Sequence, residues 1–150
     1  MKTALTTLHC ALLSAENILY DKPATFVAVT GCEGELGIAA GHAPLLTALP
    51  PGHVRIVDVH HDEHVYFVEG GFVEVQPNSV TILADTVLRA DDIDLEAAQK
   101  AREAALRHLR QATDRFDYPK AAHELLEAMA RIEAVQLARR SRSKPGAGKS

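Results

Sequence analysis

His60, His61, Asp62, Glu63 and His64 follow one another directly, which makes them the densest set of metal-binding donors in the chain. A zinc hydrolase of the helical type needs a glutamate beside the first of two histidines four apart, and this run offers His61 there instead. Its composition places it at a hairpin tip, where an exposed cluster with weak adventitious nickel or zinc binding is expected. Gly146-Ala147-Gly148-Lys149-Ser150 looks like the end of a phosphate-binding loop, yet Ser143 stands where the first glycine of that loop belongs. Gly31, Gly34, Gly37 and Gly41 are three or four residues apart, unlike the dinucleotide fingerprint, and read as turn glycines at positive φ. Cys10 and Cys32 each stand alone in strand-like segments and read as small buried apolar thiols. No nucleophile, base and orienter have the spacing of a triad. The sequence therefore assigns no catalytic, cofactor-binding or metal residue and reads as a non-enzyme.

Two kinds of element carry these residues. From Thr3 to Ala90 short β-type runs alternate with Gly, Pro and Asn turns. Ala24–Thr30, His53–Val59, Val65–Val68, Phe72–Val75 and Val80–Leu83 are the strands, with turns at Gly31–Gly34, Pro50–Gly52, His60–Glu63, Gly70-Gly71 and Pro77–Ser79. Closely spaced strands without intervening helices imply an antiparallel sandwich or flattened barrel over residues 1–90. Leu95, Ala98, Ala105, Leu109 and Ala112 then recur at helical spacing behind the N-cap candidates Asp92 and Asp94. After a break at Thr113–Asp117, Pro119 suits the first turn of a second helix, with Ala122, Leu125, Met129, Ile132 and Gln136 on one stripe. This helical hairpin spans residues 91–140, and residues 141–150 read as a basic flexible tail. Alanine dominates both stripes, so the hairpin buries little and depends on what it docks against.

The formal net charge of −4 conceals an asymmetry: residues 1–90 hold four Lys/Arg against ten Asp/Glu, and the remainder twelve against ten. The basic end, with Arg131, Arg139, Arg140, Arg142, Lys144 and Lys149, suits an acidic partner or a solvated helix end. No run approaches the roughly 20 apolar residues of a membrane-spanning helix, and no signal peptide is recognisable, so direct membrane insertion is not expected.

Residues 33–47, Glu-Gly-Glu-Leu-Gly-Ile-Ala-Ala-Gly-His-Ala-Pro-Leu-Leu-Thr, resemble the signature of the epsilon subunit family of F-type ATP synthases. Ser14-Ala15-Glu16, Val54-Arg55-Ile56, Gly70 to Val75, Val80 to Asp85 and Asp92-Ile93-Asp94 stand in the same family's order, so the resemblance covers residues 3 to about 140. It implies a non-catalytic rotor subunit of the central stalk, coupling proton-driven ring rotation to the catalytic head. It places the ring contact at Glu33, Glu35, Leu36 and Gly37 on a tight loop, and the gamma-subunit contact at His42, Ala43, Pro44, Leu45 and Leu46. It also implies an arm that swings up to the alpha and beta subunits, with Arg131, Arg139 and Arg140 as inhibitory contacts. The implied location is peripheral, on the cytoplasmic face of a bacterial plasma membrane.

Departures from the family pattern are few. Ala40 and Pro50 replace turn residues with little consequence. Some members bind ATP through Ile/Leu-Asp-x-x-Arg-Ala, whereas Ala97 here replaces the arginine and Glu127 replaces a second one, leaving Arg131. Losing these charge-assisted forks implies no useful ATP sensing. A competing reading, a free binding module whose basic helices touch nucleic acid, requires salt-sensitive binding to DNA or RNA. An enzyme built on the histidine cluster requires turnover that vanishes when His61 and His64 are replaced.

Overall fold

The computed structural model describes residues 7–143. Its strands are β1 (Leu8–Ser14), β2 (Ile18–Gly31), β3 (Gly34–Ile38), β4 (Leu45–Leu49), β5 (Gly52–Asp58), β6 (Glu63–Gln76) and β7 (Ser79–Arg89). A 3-10 turn at Ala90–Asp92 leads into helices α1 (Leu95–Gln111) and α2 (Asp117–Ser143). The strand order β1-β7-β6-β5-β2-β3 closes on itself because β1 also pairs with β2, while β4 pairs with β6. The result is the flattened barrel expected from the sequence, followed by two helices. One pairing is parallel, β1 with β7.

Alternation along the strands fills the barrel. Leu8, Cys10 and Leu12 of β1, Val27 and Val29 of β2, Val73 and Val75 of β6, and Val80 and Ile82 of β7 all point into one core. Removing these side chains from water is the main stabilisation of the base. The two 14-residue strands, β2 and β6, cross from one layer to the other. In β6 the inward set changes phase, from Tyr66 and Val68 to Val73 and Val75. The switch occurs at Gly70, whose φ of 70° favours glycine. At Gly71 a Cβ would collide with the Leu83 carbonyl oxygen. Gly70-Gly71 is thus a bend inside one strand, not the turn its composition suggests.

Four consecutive residues of β6, Val65 to Val68, are buried, because α2 covers the outer face of this half of the strand. Ala130, Ala134 and Ala138, spaced by four, form a second cluster with Val65, Phe67 and Ala90. The buried residues of α1, Ala98 and Ala105, are seven apart, as are Ala121, Ala128 and Val135 of α2. That spacing forms the seam of two antiparallel helices lying nearly along one another. Helix α2 is therefore sandwiched between the barrel and α1. Met129 and Gln136, expected on its buried stripe, face solvent instead. The single-stripe reading fails because α2 packs on two partners, and small alanines are what close approach on both sides accommodates.

Other sequence expectations need correction. Cys32 lies exposed in the turn between β2 and β3, whereas Cys10 is fully buried, its thiol pushed up to about 12 by burial and then by Asp21. Of the four turn glycines only Gly34 and Gly41 have positive φ. Gly37 instead lies close beneath the Phe26 ring. Helix α2 continues to Ser143, so residues 141–143 are helical rather than tail, and residues 144–150, including the phosphate-loop lookalike, lie outside the described residues.

Candidate functional site

Three surfaces carry the candidate residues. The first is an outer face of the barrel. Register pairs Ala48 with Phe72, Phe72 with Leu83, Leu83 with Leu13 and Leu13 with Ile18, so these five side chains form one row across β4, β6, β7, β1 and β2. Phe72, Leu83 and Ile18 are each at least half exposed, at 57, 50 and 67%. A contiguous apolar row across five strands, most of it left in water, is a candidate docking surface. Leu46, 68% exposed, lies beside it opposite Glu74, and Leu45 is also exposed. The segment before β4 carries Ala43 and Pro44 exposed, and the His42 Nδ1 bonds the Ala43 carbonyl at 2.7 Å, which fixes the approach to the strand. Of this face, the sequence pointed to His42–Leu46 and missed Phe72, Leu83, Leu13 and Ile18. Their signal was apolar residues on both faces of one strand pair, legible only with the register in hand.

The second surface is the β2–β3 end. Glu33 is exposed at the turn, as expected, but Glu35, Leu36 and Gly37 belong to β3 rather than to a loop. Leu36 packs partly into the core opposite Val29. Local pairing wins because the Cys32-Glu33 turn is short enough to register Gly31 with Gly34 and zip the hairpin from its tip. The Glu35 carboxylate is 3.1 Å from Nε2 of His53, a buried histidine whose Nδ1 lies 3.3 Å from the Thr30 hydroxyl and 3.6 Å from the Glu133 carboxylate of α2. His53 thereby links the β3 edge to the arm, a link with no sequence signal.

The third surface is the seam between barrel and arm. His123 Nε2 lies 3.1 Å from a Glu69 oxygen and 3.7 Å from a Glu127 oxygen. Burial pushes the Glu69 carboxyl up, but hydrogen bonds from Glu127 and His123 outweigh it and hold the group below its ordinary value. Glu127 shifts the opposite way, raised first by sharing its proton with Glu69 and then by burial. One turn on, the Arg131 guanidinium stacks 4.8 Å from the Phe67 ring centroid, and its buried Nε has no partner among the described residues. Arg131 is therefore turned into the docked interface, while Arg139 and Arg140 project to solvent, so the three arginines are not brought together. Farther along, Arg142 bonds Asp91 at 2.5 Å.

A cleft of about 460 Å³ opens between the helices beneath Leu88. Asp94 caps α1 by accepting from the Ala97 N–H at 3.1 Å. The cleft walls carry Asp92, Asp94, Glu124 and Glu127 against Arg131 and His108. Carboxylates around an otherwise alanine-lined space repel phosphate.

The histidine cluster resolves into structure. Asp58 accepts from the backbone N–H groups of His60 and Asp62 at 2.8 and 3.0 Å and faces His64 Nε2 at 2.9 Å. Burial raises this carboxyl, but those bonds more than offset it and hold it below the usual range. His64 is thus committed to closing the β5–β6 hairpin.

Residues 7–90 match the beta-sandwich domain of the ATP synthase Delta/Epsilon chain, and residues 91–136 match its long alpha-helix domain. The chain belongs to the ATP synthase delta/epsilon family. It is a central-stalk subunit of that enzyme, and the family is structural rather than catalytic. The fold recurs in a chain of the Euglena gracilis mitochondrial ATP synthase, solved with OSCP, F1 and c-ring in rotational state 1. That chain has 22% identity and a TM-score of 0.78, over 92% of this chain and 84% of that one. A chain of the Tetrahymena thermophila mitochondrial ATP synthase central stalk and c-ring is similar at 19% identity and a TM-score of 0.58, over 91% of this chain and 98% of that one. Among the described residues of this delta/epsilon chain, no helix is long and apolar enough to cross a membrane.

Proposed function

We propose that the barrel of this stalk subunit is a coupling foot that grips the gamma subunit through its outer apolar row and His42–Leu46 ledge, and meets the c-ring through the β2–β3 end. The observation that carries this reading is the bare row Ala48, Phe72, Leu83, Leu13 and Ile18. Five strands hold it rigid, as a surface transmitting torque requires. Glu33 at the turn tip, with Glu35 and Gly37 on the adjoining edge, meets the ring; Leu36 supports that edge from below. The foot lies peripherally on the cytoplasmic face of a bacterial plasma membrane, a placement that rests on the resemblance to bacterial members.

The arm is the regulatory part. In its docked position Arg131 is occupied by Phe67, and only Arg139 and Arg140 are free to meet acidic surface. Undocking exposes Arg131 as well, so the raised arm presents all three cations to alpha and beta and restrains ATP hydrolysis. The acidic cleft at Asp94 and Glu127 supports a subunit that does not take ATP as its signal.

The test is co-purification of the full chain with gamma. Phe72→Glu and Leu83→Glu place charges in the row at exposed positions that the fold tolerates. Each is expected to weaken the complex by about tenfold or more, as loss of a central apolar contact does. Undiminished binding by the doubly substituted, folded chain overturns the assignment of this face.

A further inference from the structure

The seam between barrel and arm brings together three metal-ligating side chains from two parts of the molecule. Glu69 lies on β6 beside the Gly70 bend, and His123 and Glu127 are one helical turn apart on α2. One ligand atom from each lies within 4.8 Å of the others, and His123 Nε2 stands 3.1 and 3.7 Å from the Glu69 and Glu127 oxygens, near the roughly 3.4 Å between donors on a tetrahedral ion. Glu69 and Glu127 are mostly covered, with side chains 21 and 29% exposed, while His123 is 53% exposed, leaving an approach for the ion and for a water.

We propose that Glu69, His123 and Glu127 form a site for a divalent transition ion of the zinc class, and that the ion latches the arm to the barrel. An imidazole with two carboxylates suits zinc, and a water completes the fourth position. Two carboxylates held against each other repel unless something positive lies between them. Here the His123 ring lies 3.1 and 3.7 Å from the two carboxylates, where a dication would answer both charges at once. Arg131, stacked over Phe67 on the next turn, opposes the ion with its own charge, so the site is a reversible sensor of moderate affinity rather than a permanent structural centre. Because Glu69 belongs to the barrel and the other ligands to the arm, the site exists only while the arm is docked. The ion therefore favours the docked state through its differential affinity. Nothing in this inference depends on which partner the raised arm meets.

The experiment titrates the full chain with zinc chloride by calorimetry and follows amide exchange across residues 121–138. One equivalent is expected, with slowed exchange in that segment. His123→Ala, Glu127→Gln and the near-isosteric Glu69→Gln are each expected to weaken zinc more than about tenfold and abolish the slowing, as loss of a direct ligand does. His60→Ala/His61→Ala is expected to change neither. Zinc affinity unchanged in the three ligand variants, or lost in the His60/His61 variant, overturns the site. Binding without altered exchange overturns the latch. Failure of either leaves gamma binding untouched, so it is distinguishable from failure of the coupling foot.

Discussion

The barrel and the arm are built from different materials. The barrel buries Val, Ile, Leu and Tyr in a core closed on every side, with Ile56, Val54 and Val73 fully out of water. The arm buries chiefly alanines, supplemented by Ile132 and Val135, and is tied to the barrel by polar pairs in each of which at least one partner is more than half exposed. An alanine brings little apolar area to an interface but allows backbones to come close. One chain thus joins a closed barrel to an arm seated on little apolar area, the division that the proposed coupling foot and switching arm require. Rigidity suits the transmission of torque, and a low-stability element suits switching.

The largest expected effect is in the barrel. Ile56→Ala, at a fully buried position, should lower unfolding free energy by about 2–5 kcal/mol in urea titration. A loss below about 1 kcal/mol breaks the contrast, since the barrel core would then matter no more than the arm. Next, Asp58→Ala leaves two backbone N–H groups and His64 without their acceptor and should cost about 1–3 kcal/mol near neutral pH. The Asp58 carboxyl titrates lower when folded than when unfolded, so its contribution is complete above the ordinary carboxylate value of about 3.9. It is lost as pH falls through the depressed folded value. The gap between wild type and variant should therefore narrow below about pH 4, and a gap that widens in acid contradicts the assignment.

Ala134→Leu overpacks a fully buried point where α2 meets β6 and should cost about 1–3 kcal/mol of docking. Amide exchange should quicken along α2 while barrel amides keep their protection; uniform quickening would mean that the two regions unfold as one. Smallest is Arg142→Ala, which removes an exposed pair with Asp91 and should change stability by no more than about 1 kcal/mol.

The sequence carried the architecture well because its two periods are local. Alternation over Ala24–Thr30 and three-four spacing after Asp94 need no knowledge of neighbours. It failed where long-range packing decides. Val65–Val68 reads only as a strand until α2 is seen to lie on it, and Gly70-Gly71 reads as a turn because composition cannot tell a bend within a strand from a break between strands. Among candidate site residues, Glu33 and His42–Leu46 were legible from the motif. The cross-strand row was not, since register brings Leu13, Ile18, Phe72 and Leu83 together across up to 70 positions of chain. Glu69 and His123 are likewise 54 residues apart, and only the docked helix makes them neighbours.

The proposed function assigns holding to the barrel and regulating to the arm, as separable tasks. The most direct measurement removes the arm after Ala90 and follows two quantities in one reconstituted enzyme: incorporation of the shortened chain into the stalk, and the rate of ATP hydrolysis. Incorporation should persist while hydrolysis rises. A shortened, folded barrel that no longer joins gamma, or an enzyme whose hydrolysis is unchanged when the arm is gone, would contradict it.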